Sequence, residues 1–135
     1  MPFQFSTAAR NASLDAIETA IGASPILRIR TGAPPANCAA ARSGTVLATM
    51  NLPADWLAAA ASGSKGLLGT WQDAAADAAG TAGHFEIMDS AGTTCHMQGT
   101  VTGTGGGGDM EIQNTSIAAG QSITVTSFAI NAGGA

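Results

Sequence analysis

Phe85-Glu86-Ile87, Cys95-His96-Met97-Gln98-Gly99-Thr100-Val101, Met110-Glu111-Ile112 and Ile123-Thr124-Val125 set an apolar side chain at every second position. Successive side chains of a strand point to opposite faces, so this alternation predicts strands with one buried and one wet surface. The runs are short and closely spaced, which favours antiparallel hairpins over helix-linked parallel strands. Asp89-Ser90-Ala91-Gly92 is a hairpin turn between strands at 84–89 and 93–101. Gly103 to Gly108 is a flexible connection to a strand at 109–114, and residues 115–120 turn the chain into a last strand at 121–130. That strand changes phase: Ile123 and Val125 share one face, Phe128 and Ile130 the other. A bulge near Ser127 would restore a common inward face.

Upstream, residues 6–22 read as the one clear helix. Ser6 or Thr7 can cap it, Leu14, Ile17 and Ile21 share a face, and Gly22 stops it. A strand at 25–31 turns Leu27 and Ile29 to one side and Arg28 and Arg30 to the other. Residues 32–44 form a loop, because Pro34 and Pro35 bar a regular ladder. A strand at 45–52 ends at Pro53. The alanine-rich stretch 54–62 predicts a short turn of helix anchored by Trp56. Residues 65–72 read as a strand, and 73–83 stays open between loop, weak strand and helix. About seven strands with one N-terminal helix predict a mainly β fold, an antiparallel β-sandwich or jelly roll.

At 135 residues the chain is a single domain, 1–135, with 1–5 as a possible extended N-terminal arm. Charged residues are 10% of the total, against roughly 25% in an average soluble protein. Such a surface is dominated by Thr, Ser, Gly, Asn and Ala, which suits packing against copies of itself or a larger assembly. Five cations and a net charge of −4 argue against a broad nucleic-acid footprint. No apolar run approaches a membrane span, and the first residues lack a signal-peptide pattern. Cys38 and Cys95 could pair, although a cytoplasmic product normally keeps its thiols reduced.

Chemistry-bearing patterns are sparse. Cys95 and His96 alternate across a strand and cannot converge on one metal, and His84 and His96 read as surface or interface residues. No Gly-x-Ser-x-Gly elbow is present, and Glu86, Asp89, Asp109 and Glu111 fall on strand faces or turns. The glycine run leads to Asp109 and a strand, not to the Lys and helix N-terminus of a phosphate loop. Catalytic, cofactor and metal residues are therefore assigned to none. Trp56 and Trp71 are core candidates. Phe3 and Phe5 alternate ahead of the helix, where an arm could enter a neighbour's groove or sheet edge. With Arg28 and Arg30 they are the candidate partner-binding residues.

Over nearly its whole length the chain resembles small virion-associated proteins of tailed bacteriophages and prophages. The resemblance is carried by Arg10-Asn11-Ala12-Ser13-Leu14-Asp15-Ala16-Ile17-Glu18-Thr19-Ala20-Ile21-Gly22, by Thr31-Gly32-Ala33-Pro34-Pro35-Ala36-Asn37-Cys38 and by Leu52-Pro53-Ala54-Asp55-Trp56. Gly80-Thr81-Ala82-Gly83-His84-Phe85, Gly92-Thr93-Thr94-Cys95-His96 and Asn114-Thr115-Ser116-Ile117-Ala118-Ala119-Gly120 continue it. It implies a particle component without an active site, made in the host bacterial cytoplasm and carried in the virion. A capsid cement or decoration protein that contacts the major capsid protein and copies of itself is the first expectation. A tail, baseplate or fibre component, with a host-surface binding module, is the second, and a small envelope hydrolase the third.

Overall fold

The structure, a computed structural model, describes residues 3–134. Part of the expected arm, Met1 and Pro2, lies outside the described residues. The expected helix is α1 (Thr7–Ile21). Ser6 Oγ accepts the Ala9 amide at 3.1 Å, satisfying one of the free donors of the first turn. At the other end the Gly22 amide donates to Glu18 O at 2.9 Å, with φ at 93°. Leu14 and Ile21 are buried, whereas Ile17 is 40% exposed.

Nine strands follow among the described residues: β1 (Ile26–Thr31), β2 (Val46–Asn51), β3 (Ser64–Gly66), β4 (Gln72–Asp73), β5 (Gly80–Met88), β6 (Cys95–Gly103), β7 (Met110–Ile112), β8 (Ser116–Ile117) and β9 (Ile123–Asn131). They follow the path β2-β1-β5-β6-β7-β9-β3, with β4 on β9 and β8 on β5, and curl into a half-barrel. This establishes a mainly β fold with one helix; the pairing does not establish the expected sandwich or jelly roll.

One ladder corrects the antiparallel expectation. β7 pairs parallel to β6, Val101 opposite Met110 and Gly103 opposite Ile112. Residues 104–109 are thus a back-crossing and not a hairpin tip. Parallel neighbours usually need a longer crossover, but here the chain has only three residues of ladder to retrace. Side chains bind the turn's amides. Glu111 accepts from Gly105 and Gly107, Thr102 Oγ1 accepts from Gly108, and Asp109 Oδ2 accepts from Thr100.

Two further expectations are corrected upstream. Residues 54–62 are not helical. They run antiparallel to 64–68, with Ala58 N donating to Gly66 O at 2.8 Å and Leu68 N to Trp56 O at 3.0 Å. Ser62 and Gly63, both at positive φ, reverse the chain between them, a conformation that matches the twist of paired strands. Helix propensity in the alanines is a weak preference, and burial of Trp56 and Leu57 overrides it. The expected strand 65–72 is two short pieces, β3 and β4, and β5 begins earlier than expected, at Gly80.

The expected bulge is present. Glu111 lies opposite Ser127 but Ile112 opposite Val125, so β9 carries an extra residue between them. Ile123, Val125 and Phe128 consequently all point inward. The core is organised around a row of rings: Trp56–Trp71 at 5.9 Å, Trp71–Phe128 at 5.3 Å and Phe128–Phe85 at 5.6 Å between centroids. The outer side of β2 is closed by single bonds from the 73–77 segment in place of a ladder. Asp73 Oδ2 accepts from Thr49 N at 3.0 Å, and Asp77 N donates to Leu47 O at 2.8 Å. That blunts an edge which could otherwise recruit another chain.

Helix α1 lies against the β3 hairpin through a half-buried ionic contact. Lys65 Nζ reaches Asp15 Oδ1 at 2.6 Å and Glu18 Oε1 at 2.9 Å, with the lysine side chain 4% exposed. Burial works against the charge, yet the two carboxylates outweigh it and raise the Lys65 pKa above its ordinary 10.5. A pKa raised on folding stabilises fully below the unfolded value, about 10.4, and that contribution is lost as pH rises through the folded value. The lysine's contribution should therefore hold from neutral pH to about 10 and fall beyond it. Urea midpoints across that range check this. Lys65 is the one lysine and the chain has no Tyr. With Cys38 and Cys95 both replaced by Ala, so that the raised Cys95 thiol adds no alkaline loss of its own, Lys65→Met should flatten most of the remaining alkaline fall. An unchanged fall in that variant would reject the assignment.

Candidate functional site

The described partner-contact candidates lie at two separate places. Phe3 and Phe5 are at the surface, 78% and 50% exposed, and stack edge to face with centroids 5.3 Å apart. Their backbone is not loose at its inner end. The Phe5 amide donates to Gly134 O at 2.6 Å, so the two ends of the described chain meet. Phe5, Ala9, Arg10, Ser13, Ala132 and Gly133 line a shallow cavity of about 320 Å³ beside them. Among the described residues Ile17 and Leu68, each 40% exposed, are the other large apolar groups at the surface.

A second, larger groove of about 450 Å³ opens ahead of the start of β7. β6 pairs with β7 only from Val101 onward and β9 only up to Phe128. The seam between Met97–Gln98 and Ala129–Asn131 therefore has no strand in it. Leu14 and Ile17 of α1 lie over it, with Phe85 and Phe128 beneath. The helix thus plugs the open side of the half-barrel.

Arg28 and Arg30 are placed differently from Phe3 and Phe5, and the structure does not bring the two pairs together. Both arginines turn onto the second face of β5, where Glu86 is completely buried. Arg30 Nε lies 2.8 Å from Glu86 Oε1, Arg28 Nη1 3.5 Å from Oε2 and Arg42 Nη1 3.9 Å from Oε1. The Arg30 contact is close but misaligned, since neither it nor the Glu86 oxygens meet hydrogen-bond geometry within the protein. The attraction is that of one anion among three cations at low exposure, where screening is weak. Strand pairing sets the pattern: Arg28 lies directly opposite Glu86, and Arg30 opposite His84.

The loop at 32–44 covers this face. Arg42 fastens it, donating from Nη2 to Asn37 O at 2.8 Å, Ala40 O at 2.9 Å and Cys38 O at 3.2 Å, and from Nη1 to Gln98 Oε1 at 3.0 Å. Gln98 Nε2 in turn donates to Pro35 O at 2.6 Å. A side chain at Gly83 would collide with the backbone of Gly32, so the cover sits directly on β5. His84 is buried, with Nδ1 2.9 Å from Gly32 O, which corrects its reading as a surface residue. His96 is exposed. The expectation for β5 went astray because strand periodicity distinguishes two faces without saying what covers each. Three of the five cations between positions 28 and 42, near a proline-rich loop, were the available signal.

Chemically this cluster holds charge in place, with three guanidinium groups around one buried carboxylate. Among the described residues no group of three His, Cys, Asp or Glu side chains could hold a metal ion. No described helix is long and apolar enough to cross a membrane. The two cysteines meet at the margin of the cover, Cys95 Sγ 2.6 Å from Cys38 Sγ, both as free thiols. Burial, then the neighbouring Cys38, pushes the Cys95 thiol up to about 12. No family model, no curated protein and no solved structure matches the chain.

Proposed function

We propose that the protein is a structural component of a tailed-bacteriophage particle: a capsid cement or decoration protein that bridges neighbouring major capsid subunits and packs against copies of itself. The reading assigns it no catalytic activity and no cofactor, nucleic-acid or membrane partner. The observation that carries it is the exposed Phe3–Phe5 pair. Two stacked rings in water are unfavourable for a monomer and become favourable when a partner covers them. The charge distribution fits. Among the described residues Arg28, Arg30, Arg42 and Lys65 are committed to carboxylates, which leaves only Arg10 outside an ion pair and no basic stripe for phosphate.

Copy number in purified particles tests the reading. Hundreds of copies support cement, a handful moves the protein to the tail, baseplate or fibre, and none removes it from the particle. For the aromatic pair, the double variant Phe3→Ser with Phe5→Ser should leave monomer stability within about 0.5 kcal/mol, as exposed substitutions do. Its incorporation into particles should drop at least tenfold, equivalent to about 1.4 kcal/mol of contact. Unfolding curves and particle stoichiometry read the two effects separately. Undiminished incorporation would show that the rings are not the contact.

A further inference from the structure

We infer that Cys38 and Cys95 are a cross-linking site, forming an intramolecular disulfide that staples the 32–44 cover to β6 above the buried Glu86 cluster. The two thiols are 57 residues apart in sequence, one on the covering loop and one at the start of β6. They are also the only cysteines of the chain. Contacts that involve no sulfur already hold the two sides together: Arg42 grips the loop carbonyls and reaches Gln98, and Gln98 binds Pro35. The loop is thus positioned before any bond forms, so closure needs little rearrangement of the backbone. Both residues are half-buried, open enough for a small oxidant.

The reaction is thiol–disulfide exchange with a small-molecule disulfide such as oxidised glutathione. Cys38, as thiolate, attacks one sulfur of the oxidant; a mixed disulfide forms and one glutathione thiolate leaves. Cys95 then gives its proton to solvent, attacks Cys38 Sγ and displaces the second glutathione. Two protein thiols are oxidised to one disulfide, and one glutathione disulfide is reduced to two thiols. The high pKa of Cys95 makes it the second and slower nucleophile. A reducing cytoplasm leaves the pair open and an oxidising exterior closes it.

The test uses the full chain, reduced, freed of reductant and incubated in glutathione buffers of increasing oxidised fraction. Samples are quenched with an alkylating agent and weighed as intact protein. The expected product is monomeric, about 2 Da lighter than the reduced chain and without alkyl groups. Its melting midpoint should lie roughly 10 °C above that of the reduced chain, the gain from closing a loop of this length. Cys38→Ala with Cys95→Ala should melt with the reduced parent in either buffer. Two alkylated thiols throughout, glutathione adducts that never resolve, or disulfide-linked dimers would each overturn the inference. The parent's mass measurement decides even if the double variant fails to fold.

Discussion

Glu86→Ala is expected to lower the unfolding free energy by about 3–5 kcal/mol, the usual cost of removing one partner from a buried ionic group. The carboxylate is completely buried and faces Arg28, Arg30 and Arg42, whose side chains are 24%, 14% and 16% exposed. Without it three guanidinium groups confront one another under the 32–44 cover with no anion between them. Arg42 can keep its loop carbonyls and Arg30 its bond to Gly44 O, so the damage comes from repulsion and desolvation and not from lost loop contacts. Removing charge from both sides separates the two causes. Glu86→Leu with Arg30→Met should be less destabilised than Glu86→Leu alone, because an apolar pair tolerates the site better than an unbalanced cation cluster. Urea unfolding followed by circular dichroism measures all three. A Glu86→Ala variant within about 1 kcal/mol of the parent, as an exposed pair would give, would mean the cluster is hydrated and the cover open.

The same cluster marks where sequence reading stops. Ser6, Leu14 and Gly22 make the helix visible locally, since its cap, apolar face and stop all lie within its own span. The bulge in β9 was visible for a similar reason, because a phase change between Val125 and Phe128 has few other resolutions. The direction of β7 was not. Alternation at Met110-Glu111-Ile112 is identical in a parallel and an antiparallel neighbour, and only the side-chain bonds of Thr100, Thr102 and Glu111 to the glycine turn select one. Burial of Glu86 was hidden in the same way. Its position on the nominally wet face follows from period two, but the loop that covers that face arrives from fifty residues upstream. Of the candidate contacts, the exposure of Phe3 and Phe5 fits their polar, terminal setting. The inward turn of Arg28 and Arg30 depends on a partner strand.

Trp71→Ala should be as damaging as loss of Glu86, by about 3–5 kcal/mol. Against a total stability of about 5–15 kcal/mol for a domain, that is a large fraction of the whole. Trp71 is 1% exposed and is an inner ring of the row, in contact with both Trp56 and Phe128. Its removal therefore opens a cavity between two rings that cannot close on each other without moving β9. The backbone adds a second constraint: Trp71 O accepts the Val125 amide at 3.0 Å, holding the chain ahead of β4 against the first half of β9. A shift of the neighbouring rings into the void would strain that bond, so relaxation is limited and the cavity term stays large. Trp71→Phe keeps a ring and loses only the indole bond to Leu68 O and part of the volume, and should cost about 1–2 kcal/mol. Phe128→Ala, at the other end of the Trp71 contact, should be less than additive with Trp71→Ala, because each single variant already removes the shared ring contact. Circular dichroism must follow these curves, since the substitution alters tryptophan fluorescence itself. Full additivity of the two alanine variants would show that the rings fill separate cavities, and a Trp71→Ala cost below about 1 kcal/mol would place the centre of the core elsewhere.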